Sequence, residues 1–393
     1  MFSITVNLSL LVFFKYSNFL ISNINSLTGL NIPFSNFNLP IGISFYTFQT
    51  ISYVVDVFRG EVEAQKSPFK LLLFVSLFHQ LVAGPIVRYK SIANEIENRI
   101  ITMSMFSEGI NRFVIGLAKK VILANPAGEI SDIFLKGNLS DISTFGAWFG
   151  ISLFALQIYF DFSGYSDMAI GLGKMFGFNY CENFNHPYLS KSATEFWRRW
   201  HISLGSFFRD YVYIPLGGNR KSPIRNLIIV WFFTGLWHGA SWNFIIWGLY
   251  FGALIILEKT FLLNVFKKLP GFLSHIYFIA IVLIGWVFFY YIDFAKSFEL
   301  LRVMFGFGNK GLTDMVFTLN FQNNIFFFII AIIACMPIGK WMSNLLNHLE
   351  QRSLRIPSFC NSVLVPVMNS CLLFVSYTLL VGRTYNPFLY FRF

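Results

Sequence analysis

The sequence has little charge and few cysteines. Charged residues make up 12% of the chain and hydrophobic residues 55%, whereas an average soluble domain is about 25% charged. This composition excludes an ordinary soluble protein and indicates a polytopic membrane protein, with one membrane domain over residues 1–393. The four cysteines show neither CxxC spacing nor a disulfide framework. We therefore interpret them as packing residues.

Three familiar catalytic patterns are also missing. The nucleophile elbow GxSxG is absent, since its nearest match, GYSDM at residues 164–168, lacks the final glycine. No histidine is followed five residues later by aspartate, the pattern of soluble acyltransferases. No HxxH or His/Cys cluster is present, and zinc needs three or four ligands. We therefore predict no metal site.

Apolar runs that can cross, or nearly cross, a bilayer core of about 30 Å recur along the chain. They occupy residues 4–22, 40–58, 69–87, 109–124, 145–173, 226–257, 271–293, 323–339 and 361–382. They predict an all-α fold with about eight to ten transmembrane or re-entrant helices. The first run lacks a basic head and a small-residue cleavage site, so we expect a retained helix. We expect the acidic stretch 125–144 to form an outer loop.

The net charge of +11 would suggest a nucleic-acid partner in a soluble protein. In a membrane protein the positive-inside rule explains it, so we predict no nucleic-acid partner. Residues 191–225 carry seven Lys or Arg against two Asp or Glu, and aromatic side chains are dense around them. We therefore predict that residues 188–225 form short interfacial helices on the cytoplasmic side.

His238 lies in the apolar run 226–257, which contains no Lys, Arg, Asp or Glu. An ionisable side chain at bilayer depth is costly and marks a functional site by default. A hydrated histidine titrates near neutrality and can take a proton from an attacking hydroxyl. Gly235 and Gly239 flank His238. The run is long enough for one straight helix or two packed half-helices, and both stay open.

Other polar residues have two interpretations each. Arg198 and Arg199, between two tryptophans, would anchor the segment at the interface or bind the phosphates of an acyl donor.

Along residues 154–178, Ser163, Ser166 and Asp167 share one helical face, whereas Asp161 points elsewhere. That face would form a polar seam between helices or the wall of a hydrated tunnel.

Several stretches together resemble one family. They are WRRWHISL followed by FFRDYVYIPLGGNR, GLWHGASWNFIIWG, LPIGISFYTFQTISYVVDVFRG, LVAGPIVRY, YFDFSGYSDMAIGLGKMFGF and the terminal NPFLYFRF. The set resembles the membrane-bound O-acyltransferase superfamily, and in particular its bacterial alginate O-acetyltransferase branch. The resemblance extends over essentially the whole chain.

The resemblance implies a multi-pass fold of the bacterial inner membrane around a central tunnel. A cytoplasmic acyl donor, expected to be acetyl-CoA, would meet the acceptor there, with no bound cofactor. His238 matches the catalytic histidine and His201 the second motif histidine. Substrate- or donor-binding residues are expected at Arg198, Arg199, Trp237, Asn243, Ser166 and Asp167. The resemblance also implies hydrophobic helices ahead of residues 4–22, whereas Met1 stands almost directly before that segment.

The expected function is O-acetylation of an extracytoplasmic polysaccharide, reached directly or through an extracytoplasmic acetyltransferase partner. One alternative is transfer of another acyl group, such as D-alanine to teichoic acid. An alternative of a different class is a membrane transporter. Transporters commonly contain repeats with paired broken helices, and the chain has no second WH motif at a matching offset.

Overall fold

The computed structural model describes residues 2–35, 37–80, 84–350, 363–382 and 388–389. All regular secondary structure in these ranges is helical. Within these ranges, five helices have the length and hydropathy to cross a membrane, namely Phe2–Thr28, Thr144–Met175, Trp242–Phe266, Gly271–Tyr290 and Met315–Ala334. The all-α, multi-pass membrane fold predicted from composition is confirmed.

The described helices follow one another along the chain, and the connections between them vary in length. In chain order they are α1 (Phe2–Thr28), α2 (Ile43–Phe58), α3 (Pro68–Ser76), α4 (Tyr89–Glu97), α5 (Met103–Ala118), α6 (Asn125–Leu135), α7 (Thr144–Met175), α8 (Ala193–Arg199), α9 (Ile202–Phe208), α10 (Pro223–His238), α11 (Trp242–Phe266), α12 (Gly271–Tyr290), α13 (Phe294–Met304), α14 (Met315–Ala334), α15 (Ile338–Glu350) and α16 (Val365–Val381). A π-helical turn, Lys119–Ala124, joins α5 to α6.

Three of the predicted apolar runs do not form single helices. The run 323–339 is divided between α14, which ends at Ala334, and α15, which begins at Ile338. The run 226–257 is divided between α10 and α11, so it adopts the half-helix arrangement of the two that were open. The run 69–87 is helical only up to Ser76. Pro85 cannot donate a backbone hydrogen bond to a helix at the end of that run. Residues 81–83 of this run and residues 361–362 of the last run lie outside the described ranges.

The prediction that residues 125–144 form a loop is wrong for their first part, because α6 covers Asn125–Leu135. Phe134 and Leu135 are buried in the core together with α7. Asp132 lies on a more open face, where it forms an i,i+4 ion pair with Lys136 at 2.7 Å. The acidic residues suggested a loop because the residues of the exposed face of α6 and those of its buried, apolar face are mixed along the sequence.

Helix α7 is the central helix of the fold, and 72% of its most apolar 18-residue stretch is buried. Helix α5 packs on it through glycines. A Cβ atom on Gly116 would lie 2.6 Å from the Gly164 carbonyl oxygen, and one on Gly109 would lie 2.6 Å from the Gly171 carbonyl oxygen. The two backbones are therefore in direct contact, as is common where small residues face each other in membranes.

We predict that Gly164→Val destabilises the protein, because the added side chain forces α5 and α7 apart. Overpacking of this kind costs about 1–3 kcal/mol of the free energy of unfolding. The thermal midpoint of the detergent-solubilised protein should fall. Gly137→Val is the control, because the nearest atom to an added Cβ there is 3.9 Å away. Equal midpoints for the two variants would contradict the proposed backbone contact.

Candidate active site

A break between two half-helices positions His238. Helix α10 ends at His238, Gly239 is extended with φ −168°, and α11 begins at Trp242. The half-helices lie side by side, since a Cβ atom on Gly235 would be 2.3 Å from the Phe244 carbonyl oxygen. His238 is therefore the last residue of a helix that stops inside the protein.

Aromatic rings surround the His238 imidazole. The ring centroids of Trp237 and Trp247 lie 4.9 Å from it and that of Phe289 lies 5.4 Å away. His238 Nε2 is buried and has no hydrogen-bond partner among the residues that the structure describes. A buried polar atom without a partner is unusual in a native protein. This nitrogen is thus available to a group that enters from outside the chain.

His238 lines a space that we name the aromatic cavity, with a volume of about 40 Å³. This is room for a few water molecules. The other lining residues are mostly aromatic: Ile158, Asp161, Phe162, Tyr165, Trp200, Trp237, Trp247, Trp286, Phe289, Phe388 and Leu389. Such walls exclude bulk water and leave few protein groups to compete with an incoming substrate.

The side-chain carboxylate of Asp161 lines the aromatic cavity. It is 3% exposed and forms an ion pair with Lys120. It also accepts a hydrogen bond of 2.6 Å from the Leu389 backbone N–H. A buried carboxylate needs such partners, and these contacts hold a C-terminal residue in the cavity wall. The helical spacing separated Asp161 from the face of Ser166 and Asp167, but it could not show which face borders the cavity.

His201 is held in a strained and fully enclosed position. Its φ of 45° is in the left-handed region, which is uncommon for a residue other than glycine. Its Nδ1 lies 3.0 Å from Asn183 Oδ1, and Ser203 Oγ donates to the same oxygen at 2.8 Å. The side-chain amide of Asn183 in turn donates to Ser166 Oγ at 3.1 Å.

This network assigns the tautomer of His201. Asn183 Oδ1 can only accept, so Nδ1 of His201 carries the proton and Nε2 keeps its lone pair. His201 Nε2 has no hydrogen-bond partner in the described part of the chain. Burial lowers the pKa of His201 to about 3. The imidazole is therefore neutral at physiological pH, and Nε2 can accept a hydrogen bond or a proton.

Trp237 lies between the two histidines. Its ring centroid is 5.8 Å from that of His201 and 4.9 Å from that of His238. His201 lines a second space of about 310 Å³, which we name the basic cavity because its lining includes Arg198, Arg209 and Lys259. One histidine thus borders a basic cavity and the other an aromatic cavity, and Trp237 contacts both rings.

The structure separates the two adjacent arginines. Arg198 is exposed, lines the basic cavity and is in none of the ion pairs formed within the described ranges. Arg199 is bound to Glu195 by hydrogen bonds of 2.8 and 3.1 Å and donates to the Asn185 carbonyl. Only Arg198 is placed to meet a ligand.

Two further residues expected at the site lie away from both cavities. Asn243 donates to the Phe288 carbonyl at 3.2 Å, which joins α11 to α12. Asp167 forms ion pairs of 2.6 Å with Arg112 and Lys119. Trp237 lines the aromatic cavity directly.

Ser166 reaches the site only through Asn183 and His201. Asn183 itself was not expected from the sequence, because it stands in an irregular loop with no motif around it. Within the described ranges, no group of three or more His, Cys, Asp or Glu side chains is placed to hold a metal ion.

We predict that Asn183→Ala lowers the rate of the reaction that uses this site by about 10-fold or more. The substitution removes the acceptor that orients the His201 ring and fixes its tautomer. Initial rates at matched membrane levels would measure the effect. Asn185→Ala is the matched control, because this loop residue is exposed. Similar rates for the two variants would show that the tautomer of His201 has no role.

The fold and the site together define a multi-pass membrane protein with two cavities, each lined by one histidine. The sequence profile of the membrane-bound O-acyltransferase family matches residues 4–295. The chain belongs to this family, as its motifs indicated.

Named relatives differ in what they modify. The chain is 43% identical over 319 residues to the probable alginate O-acetylase AlgI of Azotobacter vinelandii, covering 79% of this chain and 64% of that protein. It is 34% identical over 342 residues to the peptidoglycan O-acetyltransferase of Helicobacter pylori, covering 79% and 65%. It is 30% identical over 238 residues to the teichoic acid D-alanyltransferase of Bacillus subtilis, covering 56% and 59%. The chain thus spans less than two thirds of the length of these relatives.

Proposed function

We propose that the protein is an O-acetyltransferase of the bacterial inner membrane. It takes an acetyl group from cytoplasmic acetyl-CoA and transfers it for O-acetylation of an extracytoplasmic polysaccharide. The observation that carries the proposal is the buried, unpartnered Nε2 of His238 at the aromatic cavity. The names of the Azotobacter and Helicobacter relatives support acetyl as the group and a polysaccharide as the acceptor.

His238 is the general base of this reaction. Its Nε2 takes the proton from the acceptor hydroxyl while the hydroxyl oxygen attacks the thioester carbonyl carbon. The carbon–sulfur bond breaks, the proton passes to the sulfur, and the products are an acetyl ester and CoA with a free thiol. A positioned base is worth about 10²–10⁴-fold in rate. His201 is neutral, and its Nε2 has no hydrogen-bond partner among the described residues. It either positions the donor or transfers the proton from one side of Trp237 to the other.

The basic cavity is the entrance for the donor. CoA carries several phosphate charges, and a guanidinium group binds phosphate through two hydrogen bonds. Arg198, Arg209 and Lys259 line the cavity. The first two belong to the charged segment 188–225, which the positive-inside rule assigns to the cytoplasmic side. The thioester then reaches His201, which lines this cavity and contacts Trp237, and the phosphates stay in water.

The acceptor enters the aromatic cavity from the opposite side. Its mostly aromatic walls suit a sugar hydroxyl or the hydroxyl of an extracytoplasmic acetyltransferase partner that then transfers the group. The Bacillus relative supports a second candidate, transfer of D-alanine to teichoic acid. Identity to that relative is lower and covers less of the chain, which favours acetyl. Membranes supplied with labelled acetyl-CoA or with a labelled aminoacyl carrier protein would distinguish the two donors.

We predict that His238→Ala abolishes acetylation, because the carboxylate that lines the same cavity, Asp161, is ion-paired with Lys120 and does not replace the base. The measurement is ester-linked acetate on envelope and secreted polysaccharide, in cells that carry the wild-type or the variant chain at matched membrane levels. His348→Ala is the control, since His348 is exposed on α15. Full acetate in the His238 variant would exclude the proposed base, and absence of acetate in the wild type would exclude this donor and acceptor.

A second prediction compares the neighbouring arginines. Arg198→Ala should raise KM for acetyl-CoA by about 10-fold with a smaller change in kcat. The lost contact would have stabilised the bound donor and the transition state equally. Arg199→Ala should leave KM unchanged, because Arg199 is bound to Glu195. Transfer of labelled acetyl from acetyl-CoA in inside-out membrane vesicles measures both constants. If Arg199 and not Arg198 controls KM, the donor does not enter by the basic cavity.

A further inference from the structure

Lys15 is a charged residue inside α1, a helix long and apolar enough to cross the membrane. A lysine in such a helix is costly unless protein groups bind its ammonium. The Nζ atom donates to Ser44 Oγ at 3.0 Å and to the Trp237 carbonyl at 2.5 Å. It also lies 5.8 Å from the centroid of the Trp237 ring. Lys15 therefore points from the first helix to the residue that precedes His238.

Tyr16 makes a matching contact. Its hydroxyl donates to the Leu236 carbonyl at 2.8 Å. Leu236 and Trp237 belong to the last turn of α10, which ends at His238. Carbonyl groups in the last turn of a helix have no intrahelical donor, and an unsatisfied carbonyl at bilayer depth costs several kcal/mol. Lys15 and Tyr16 supply the donors, and a cation is favourable at a helix C-terminus.

Helix α1 also contacts the second half-helix. Asn23 Oδ1 accepts a hydrogen bond of 2.9 Å from Trp242 Nε1, and the Phe19 and Trp242 rings are 5.7 Å apart. A π-helical turn, Val12–Tyr16, contains the two capping residues. Such turns inside α-helices are frequent at functional sites. One helix thus binds both sides of the break.

We propose that Lys15 is a positioning residue, whose ammonium caps the broken end of α10, together with Tyr16, and so fixes His238 in the aromatic cavity. The inference rests on the proposed function, in which His238 is the base. Lys15 is not among the residues that line the basic cavity, so its loss should affect the reaction step and not donor binding. Misplacement of a reacting group by about 1 Å can cost on the order of 10²-fold in rate.

The test measures kcat and KM for labelled acetyl-CoA in inside-out vesicles from cells that make the acceptor polymer. Lys15→Met should lower kcat on the order of 10- to 100-fold and change KM by less than about two-fold. Lys15→Arg should restore most of the rate, because a guanidinium can donate to Ser44 and to the Trp237 carbonyl together. Asn7→Leu is the control on the same helix, since among the described residues Asn7 donates only to the Ser3 carbonyl of its own helix.

Wild-type kcat in Lys15→Met would overturn the inference. So would equal losses in the Met and Arg variants with a lowered thermal midpoint, because that pattern reports a structural role only. His238→Ala, measured in the same vesicles, separates this inference from the proposed function. Full activity in His238→Ala removes both, whereas an inactive His238→Ala beside an active Lys15→Met removes only the role of Lys15.

Discussion

The structure depends on satisfying the backbone groups that are freed where an apolar helix stops inside the membrane domain. Irregular backbone at bilayer depth is tolerated only where protein or a cavity satisfies it. Helix α10 stops at His238, and its last carbonyls accept hydrogen bonds from Lys15 and Tyr16. Direct backbone contact at Gly235 packs α11 against α10. The break can therefore hold a histidine at a defined place inside the protein.

His201 and His238 both contact the Trp237 ring, and they border two cavities with different linings. His201 borders charged groups and is oriented by Asn183, whereas His238 borders aromatic walls. A polyanionic donor can bind in the basic cavity without its charges entering the aromatic cavity. The hydroxyl acceptor needs no charged partner and suits the aromatic side. Trp237, in contact with both rings, marks where the two substrates would meet.

Composition and motifs were sufficient to predict the fold class, because long apolar runs have a direct physical cause. They also singled out His201 and His238, whose roles in the reaction stay predictions. Composition and motifs did not decide whether the apolar run around His238 forms one helix or two, since a run of that length fits both. Long-range contacts could not be predicted. Asn183 orients His201 through a loop without periodicity, and Lys15 lies 222 residues from its partner Trp237. The rule for intramembrane charges could have marked Lys15 as important but could not have named that partner. The helical spacing placed Asp161 on a different face of α7 from Ser166 and Asp167, but it did not show which face borders the aromatic cavity.

In the proposed reaction, donor and acceptor meet at Trp237, between the basic cavity and His238. The most direct test is a cryo-electron microscopy structure of the protein bound to an acetyl-CoA analogue in which a stable ketone replaces the thioester. We expect the phosphates beside Arg198 and the ketone carbon at Trp237, with space for one hydroxyl between that carbon and His238 Nε2. An analogue whose carbonyl lies elsewhere, for example in the cavity lined by His275 and Cys335, would contradict it.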